Sequence, residues 1–366
     1  MHLRVFCLGL LTAATVSAEE ELLPEYGGPA PACTIEDTSN CLDGIAIGAV
    51  SPDGMRRVSA VNARMVDERI DDQVALVRAG PVRPSGLAAG DTGPAVSVWG
   101  NFSHTAFASD FVIEPASSSL TAHDSRVNAG MVGADVVIAE RFVVGTAVGY
   151  EDSHSDTPFN GGNHEANGFS VTPYAAVLLT DYLSVDVSGG IAWLDNDQVR
   201  IDRQGAVPMS AGFDSRRRFV AANVATFRGF GAFTLGATAG ILHAKQTEDG
   251  YTEQGPEVHA RTITEREVTL TQALIGADAS YRFRAAEMFG FANYRNDLSR
   301  DEGRGIGGLP STTGPVQPDD EDELELGVGA RFLGEGPVSG SVELSHIMGR
   351  ERFDSWTGAV TLRVDI

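Results

Sequence analysis

The chain is short of cysteine, of positive charge and of long apolar runs. Three cysteines in 366 residues are too few for a disulfide-built scaffold. There are 27 Lys and Arg against 50 Asp and Glu, a net charge of −23. That balance excludes nucleic-acid binding, which needs a basic face. After the first 18 residues every apolar run is broken by Gly or by charge. A membrane-crossing helix needs about 20 apolar residues, so none is expected.

What is present begins with an export leader. Arg4 supplies the positive start, Val5 to Val16 the apolar core, and Val16-Ser17-Ala18 a small-residue cleavage site. Residues 1–18 therefore read as a signal peptide, with the mature chain starting at Glu19. Losing Arg4 from a net of −23 leaves −24. Cys7 lies inside the apolar core rather than behind it, which argues against a lipoprotein signal. Cys33 and Cys41 remain, in the irregular segment 19–51. In an oxidising compartment, and with no His beside them, they are expected to close a small disulfide loop.

The acidity and the 42 glycines follow a pattern. Trp356, Gly358, Val360, Leu362, Val364 and Ile366 alternate with Thr357, Ala359, Thr361, Arg363 and Asp365. A strand's side chains point alternately to two sides, so one face is apolar and the other wet. After an export leader, this reads as a strand of an outer-membrane barrel, apolar toward lipid and polar toward the lumen.

Eleven similar segments precede it: 95–105, 125–138, 142–151, 168–179, 182–194, 216–228, 230–244, 267–283, 286–296, 323–333 and 336–348, with the last at 352–366. Connections after the even-numbered segments are tiny, such as Thr180-Asp181 and Arg284-Ala285. Those after odd-numbered segments are long and polar (106–124, 152–167, 195–215, 245–266, 297–322), except for 349–351. Short periplasmic turns and long external loops are the mark of a membrane barrel. The expected fold is an all-β, 12-stranded antiparallel barrel over 92–366, with both ends on the periplasmic side.

Before it, Ser51-Pro52-Asp53 looks like a helix start. Met55, Val58, Val61 and Met65 recur at helical spacing, and Pro81 and Pro84 follow the run that ends at Arg78. A helix over 52–78 would be about 40 Å long. It is too polar for lipid, but it suits a hydrated lumen.

A polar helix ahead of a twelve-stranded barrel resembles the autotransporter β-domain, the translocator of type V secretion. The resemblance spans roughly 92–366 and rests on AVSVWGNFSH, GADVVIAERFVVGTAVGYE, GFSVTPYAAVLLTDYLSVDVSGGIAW and VTLRVDI. It implies that the closing strand is read by the barrel-assembly machinery, with Trp356, Val360, Leu362, Val364 and Ile366 as the signal. It also implies that the helix plugs the pore after export. This chain departs in ending on Ile366 rather than an aromatic residue. It also has only about 70 residues between leader and barrel, with no repeats and no Asn-Asn cleavage pair.

Inward registers of the last strands carry Glu323, Glu325, Arg331, Glu343, Arg363 and Asp365. These lumen charges are expected to pair with one another or with Arg56, Arg57, Arg64, Asp67 and Asp71 of the helix. Elsewhere, Ser345 and His346 are neighbours in a strand and so point apart. His154 and His164 share one expected loop with Glu151, Asp152, Asp156 and Glu165, at a spacing that matches no recognised metal site. The acidic run PDDEDELEL reads as a solvated face. No catalytic group, metal or cofactor is expected. The reading is a non-enzymatic, monomeric translocator barrel with a very short passenger in the outer membrane of a Gram-negative bacterium. Its expected partners are membrane lipid, lipopolysaccharide and the assembly machinery. The alternative is a small porin-like or structural barrel with a periplasmic N-terminal segment.

Overall fold

A computed structural model describes residues 55–66, 95–109, 123–139, 141–157, 161–202, 207–258, 260–283, 286–301, 321–333, 338–351 and 353–366. The leader, Cys33, Cys41 and the helix positions 67–78 lie outside the described residues.

Twelve strands close into one antiparallel barrel. They are β1 (Ala95–Ser109), β2 (His123–Ile138), β3 (Phe142–Thr157), β4 (Gly162–Thr180), β5 (Leu183–Asp202), β6 (Val207–Phe230), β7 (Phe233–Glu248), β10 (Arg266–Phe283), β11 (Ala286–Asp301), β12 (Asp322–Leu333), β13 (Val338–Met348) and β14 (Phe353–Asp365). Two short strands, β8 (Tyr251–Thr252) and β9 (Thr262–Ile263), pair within the connection between β7 and β10. Each barrel strand pairs with its neighbours in chain order, and β1 closes the ring on β14, with Val98 opposite Val364. Closure leaves no unpaired edge, which a strand in hydrocarbon cannot tolerate.

The alternation expected from sequence places the side chains. Along β14 Trp356, Val360, Leu362 and Val364 face out, with Leu362 61% exposed, while Thr361 and Arg363 are buried inside. Outward aromatics bound the apolar band. Tyr150, Phe169 and Trp193 are successive register partners at its external edge. Phe142, Phe230, Phe233, Tyr281 and Phe332 stand at the periplasmic edge. Such girdles form where amphipathic rings meet the headgroup level.

The structure corrects the expected loops. Much of 152–167, 195–215 and 245–266 is strand: β3 runs to Thr157, β5 to Asp202, and β6 spans 24 residues. A strand needs about 9–11 residues to cross a bilayer, so these hairpins continue beyond the membrane. There the outer face meets water instead of lipid, so the apolar alternation fades although the backbone ladder continues and Ala211 and Phe213 still pack inward with Tyr251 and Ile263. The change also relocates two histidines. His164 points inward on β4 and is buried, whereas His154 points outward on β3, 3.2 Å from Glu165 and 3.3 Å from Asp156. They share no loop and no common site.

Inside the ring lies a helix, α1, over residues 55–66. Its residues pack against strands on several sides of the barrel. Met55 sits with Phe219, Leu242, Ala244, Val268 and Leu270. Val58 sits with Phe107 and Val127, and Met65 and Val66 with Trp99, Met131, Val143 and Leu178. A helix touching opposite walls is inside the lumen. A twelve-stranded barrel is wider than the eight-stranded barrels that side chains alone can fill.

Candidate functional site

The helix sequence Met-Arg-Arg-Val-Ser-Ala-Val-Asn-Ala-Arg-Met-Val is unsuited to lipid, yet Arg56, Arg57, Ser59 and Asn62 are buried as fully as Met55 and Val66. A buried charge is costly unless paired. The wall supplies the partners. Arg57 and Arg64 are seven residues apart, two helical turns, and so share a face. On β12, Glu323 and Glu325 are two apart and share the inner face. Arg57 meets Glu323, with Nη1 donating to Oε1 at 3.2 Å. Arg64 bridges Glu325 and Glu343. Arg56 donates to Asp297 on β11 at 2.6 Å.

Wall arginines tie these acids together. Arg295 donates to Glu325 at 2.7 Å. Arg350 donates to Glu323 at 2.9 Å and to Asp297 at 3.1 Å, and Gln272 donates to the other Asp297 oxygen at 2.9 Å. At this level the wall brings four carboxylates and three arginines, and α1 brings three more arginines. The wall alone carries an excess of negative charge, which the helix arginines reverse.

Aromatic rings complete the seat. The Arg64 guanidinium lies 4.1 Å above the Phe291 ring, and Arg57 lies 4.8 Å above Phe353. Phe291 in turn lies flat on its register partner Gly327, where an added Cβ would sit 2.0 Å from the ring. Only glycine leaves room for the ring to fold down and for α1 to pass. Below the charged layer, Trp99 donates to the Tyr174 hydroxyl at 2.8 Å, and Tyr174 donates to Asp135 at 2.8 Å. Met65 and Val66 rest on that layer.

The residues expected to carry lumen charge are all on inward registers. Glu323, Glu325 and Glu343 hold the helix. Arg331 bonds Glu287 at 3.1 Å and lies over Phe289. Arg363 bonds Asp365 and donates to Ser97 at 3.3 Å. Asp67 and Asp71 lie outside the described residues. Sequence reasoning missed Asp297, Arg295 and Arg350. Asp297 and Arg350 fall in the expected connections 297–322 and 349–351, although extending the strand alternation by one step turns Asp297 inward. Ser345 is inside and His346 outside, 2.6 Å from Asp354. Among the described residues no group of three or more His, Cys, Asp or Glu is arranged to hold a metal.

The family model for the autotransporter beta-domain matches residues 108–345. The chain belongs to that family. No curated protein matches the sequence. This autotransporter barrel is similar in fold to the translocator domain of autotransporter NalP from Neisseria meningitidis, with a TM-score of 0.62 at 15% identity, covering 84% of this chain and 99% of that one. It is also similar to the beta domain of the Bordetella autotransporter BrkA, with a TM-score of 0.60 at 13% identity, covering 74% and 100%. The transport unit of the autotransporter AIDA-I from Escherichia coli gives a TM-score of 0.51 at 10% identity, covering 81% and 97%. As an autotransporter β-barrel it sits in the bacterial outer membrane and works as a translocator.

Proposed function

We propose that this translocator exports a very short passenger through its own lumen, performs no catalysis, and ends with its N-terminal segment outside the cell and α1 as a fixed plug. The observation that carries this reading is the direction of α1. Met55 packs on Leu242, Ala244, Val268 and Leu270, toward the ends of β7 and β10 that continue into the long external connections. Val66 packs near Trp99, Val143 and Leu178, at the ends joined by short turns. The helix therefore enters from the external side and leaves toward the periplasm, where β1 begins. A periplasmic N-terminal segment would need the opposite direction.

The mature residues ahead of α1, from Glu19 on, supply the exported piece, with Cys33 and Cys41 within it. A tag inserted after Glu19 should be removed by protease added to intact cells, while the heat-modifiable barrel survives. If the tag is cut only after the outer membrane is permeabilised, the porin-like alternative stands.

A further inference from the structure

The outward face beyond the apolar band is acidic. Asp152, Asp156 and Glu165 crown β3 and β4, and Asp195 and Asp197 crown β5. Apart from Arg126 on β2, the bases of this face gather in one place. On β6 and β7 the outward positions are Arg216, Arg218 and Lys245, and Lys245 is the single lysine of the chain. Arg218 and Lys245 are register partners, so their Cβ atoms are about 4.5–5.5 Å apart, a spacing at which like charges repel. Arg216 is the register partner of Trp193, and Arg218 that of Ile191. The cluster thus begins at the aromatic girdle and reaches one pleat into the apolar band.

Lys245 pairs with Glu267 at 2.6 Å. Arg216 and Arg218 are exposed and meet no carboxylate among the described residues. Bases at the edge of the hydrocarbon need an anion at headgroup depth, and Glu267 answers Lys245 alone, which leaves Arg216 and Arg218 for another. Below the cluster the outward face of β6, β7 and β10 is apolar, with Ala222, Ala239 and Ala273 interleaved among Val220, Ile241 and Ile275. An apolar face under a cationic clamp suits an anionic headgroup with several acyl chains. The cluster lies on the side of the long connections, hence in the outer leaflet.

We propose that Arg216, Arg218 and Lys245 form a binding site for the phosphate of lipid A, with its acyl chains lying on the apolar outward face of β6, β7 and β10. The inference rests on the outer-membrane placement but is independent of what the lumen exports. Full-length protein extracted from outer membranes and titrated with bisphosphorylated lipid A in native mass spectrometry should bind at least tenfold more tightly than the Arg216→Gln/Arg218→Gln/Lys245→Gln variant. Arg126→Gln, on β2, should bind like the parent. All three proteins should remain heat-modifiable, because the substituted side chains face out. Equal binding of fully dephosphorylated lipid A, or of phosphatidylglycerol, would overturn the site, as would an unaltered triple variant. Displacement by inorganic phosphate at equal concentration would make it a free-anion site and overturn it too. Absence of the parent barrel from the outer-membrane fraction would sink the placement and this inference together. A membrane-resident barrel without selectivity for lipid A sinks this inference alone.

Discussion

Arg57 of α1 and Glu323 of β12, 266 positions apart, form a two-pronged ion pair inside the barrel. Both side chains are almost fully buried. The pair ties the plug to the wall by charge and geometry, beside apolar contacts that run the length of the described helix.

Removing Glu323 leaves the buried Arg57 without its carboxylate, which costs about 3–5 kcal/mol, whereas removing Arg57 leaves Glu323 its pairs with Arg350 and Arg295 and costs less. Arg57→Ala and Glu323→Ala should each lower the midpoint of thermal unfolding in detergent micelles. The double variant should lose less than the sum of the singles. Additive losses would mean that the two groups act independently.

Removing the plug should open the pore. Deletion of residues 19–80 takes away α1 with its arginines, and single-channel conductance in planar bilayers should rise several-fold. Truncated and full-length barrels that conduct alike would place the limiting constriction elsewhere.

The closing strand offers a test of register. Leu362 and Val364 face lipid, while Thr361 faces inward and accepts a hydrogen bond from Asn101 at 2.6 Å. A basic residue on the lipid face at mid-depth costs roughly 2–4 kcal/mol, and an acid somewhat less. Leu362→Asp and Val364→Asp should therefore depress outer-membrane yield. Thr361→Asp should not, since Asn101 can donate to the new carboxylate. Equal yields would reverse the assigned faces.

The external β3–β4 hairpin should loosen in acid. His164 is buried there, and burial followed by the nearby Arg266 lowers its pKa from 6.5 to about 3. The folded state thus binds the proton less readily than the unfolded one. Stability is complete above about pH 6.5 and falls as pH drops from there toward 3, by about 1.4 kcal/mol per unit at most. Limited proteolysis between Thr157 and Gly162 should accelerate across that window, and His164→Gln should flatten the response. A parent protein equally resistant at pH 7 and pH 4 would contradict this.

The strand pattern was legible because period-two alternation is imposed by lipid on one side and water on the other. Thus Leu362 and Arg363 declare their faces without any knowledge of their neighbours. The parity of connection lengths showed which ends lie outside. The strands' external extensions were not legible, because beyond the membrane the outer face is polar too and Asp195 or Gln198 carries no periodic signal. Asp297 was lost for the same reason.

The sequence by itself determined the barrel, its inward and outward faces, and a polar helix in search of partners, because solvent partition acts on each residue separately. The tertiary structure alone decided that Arg57 meets Glu323, that Arg64 spans Glu325 and Glu343, and that α1 enters from the external side. Those facts depend on how twelve strands close and in what register, which brings residues more than 250 positions apart into contact and leaves no local trace in the chain.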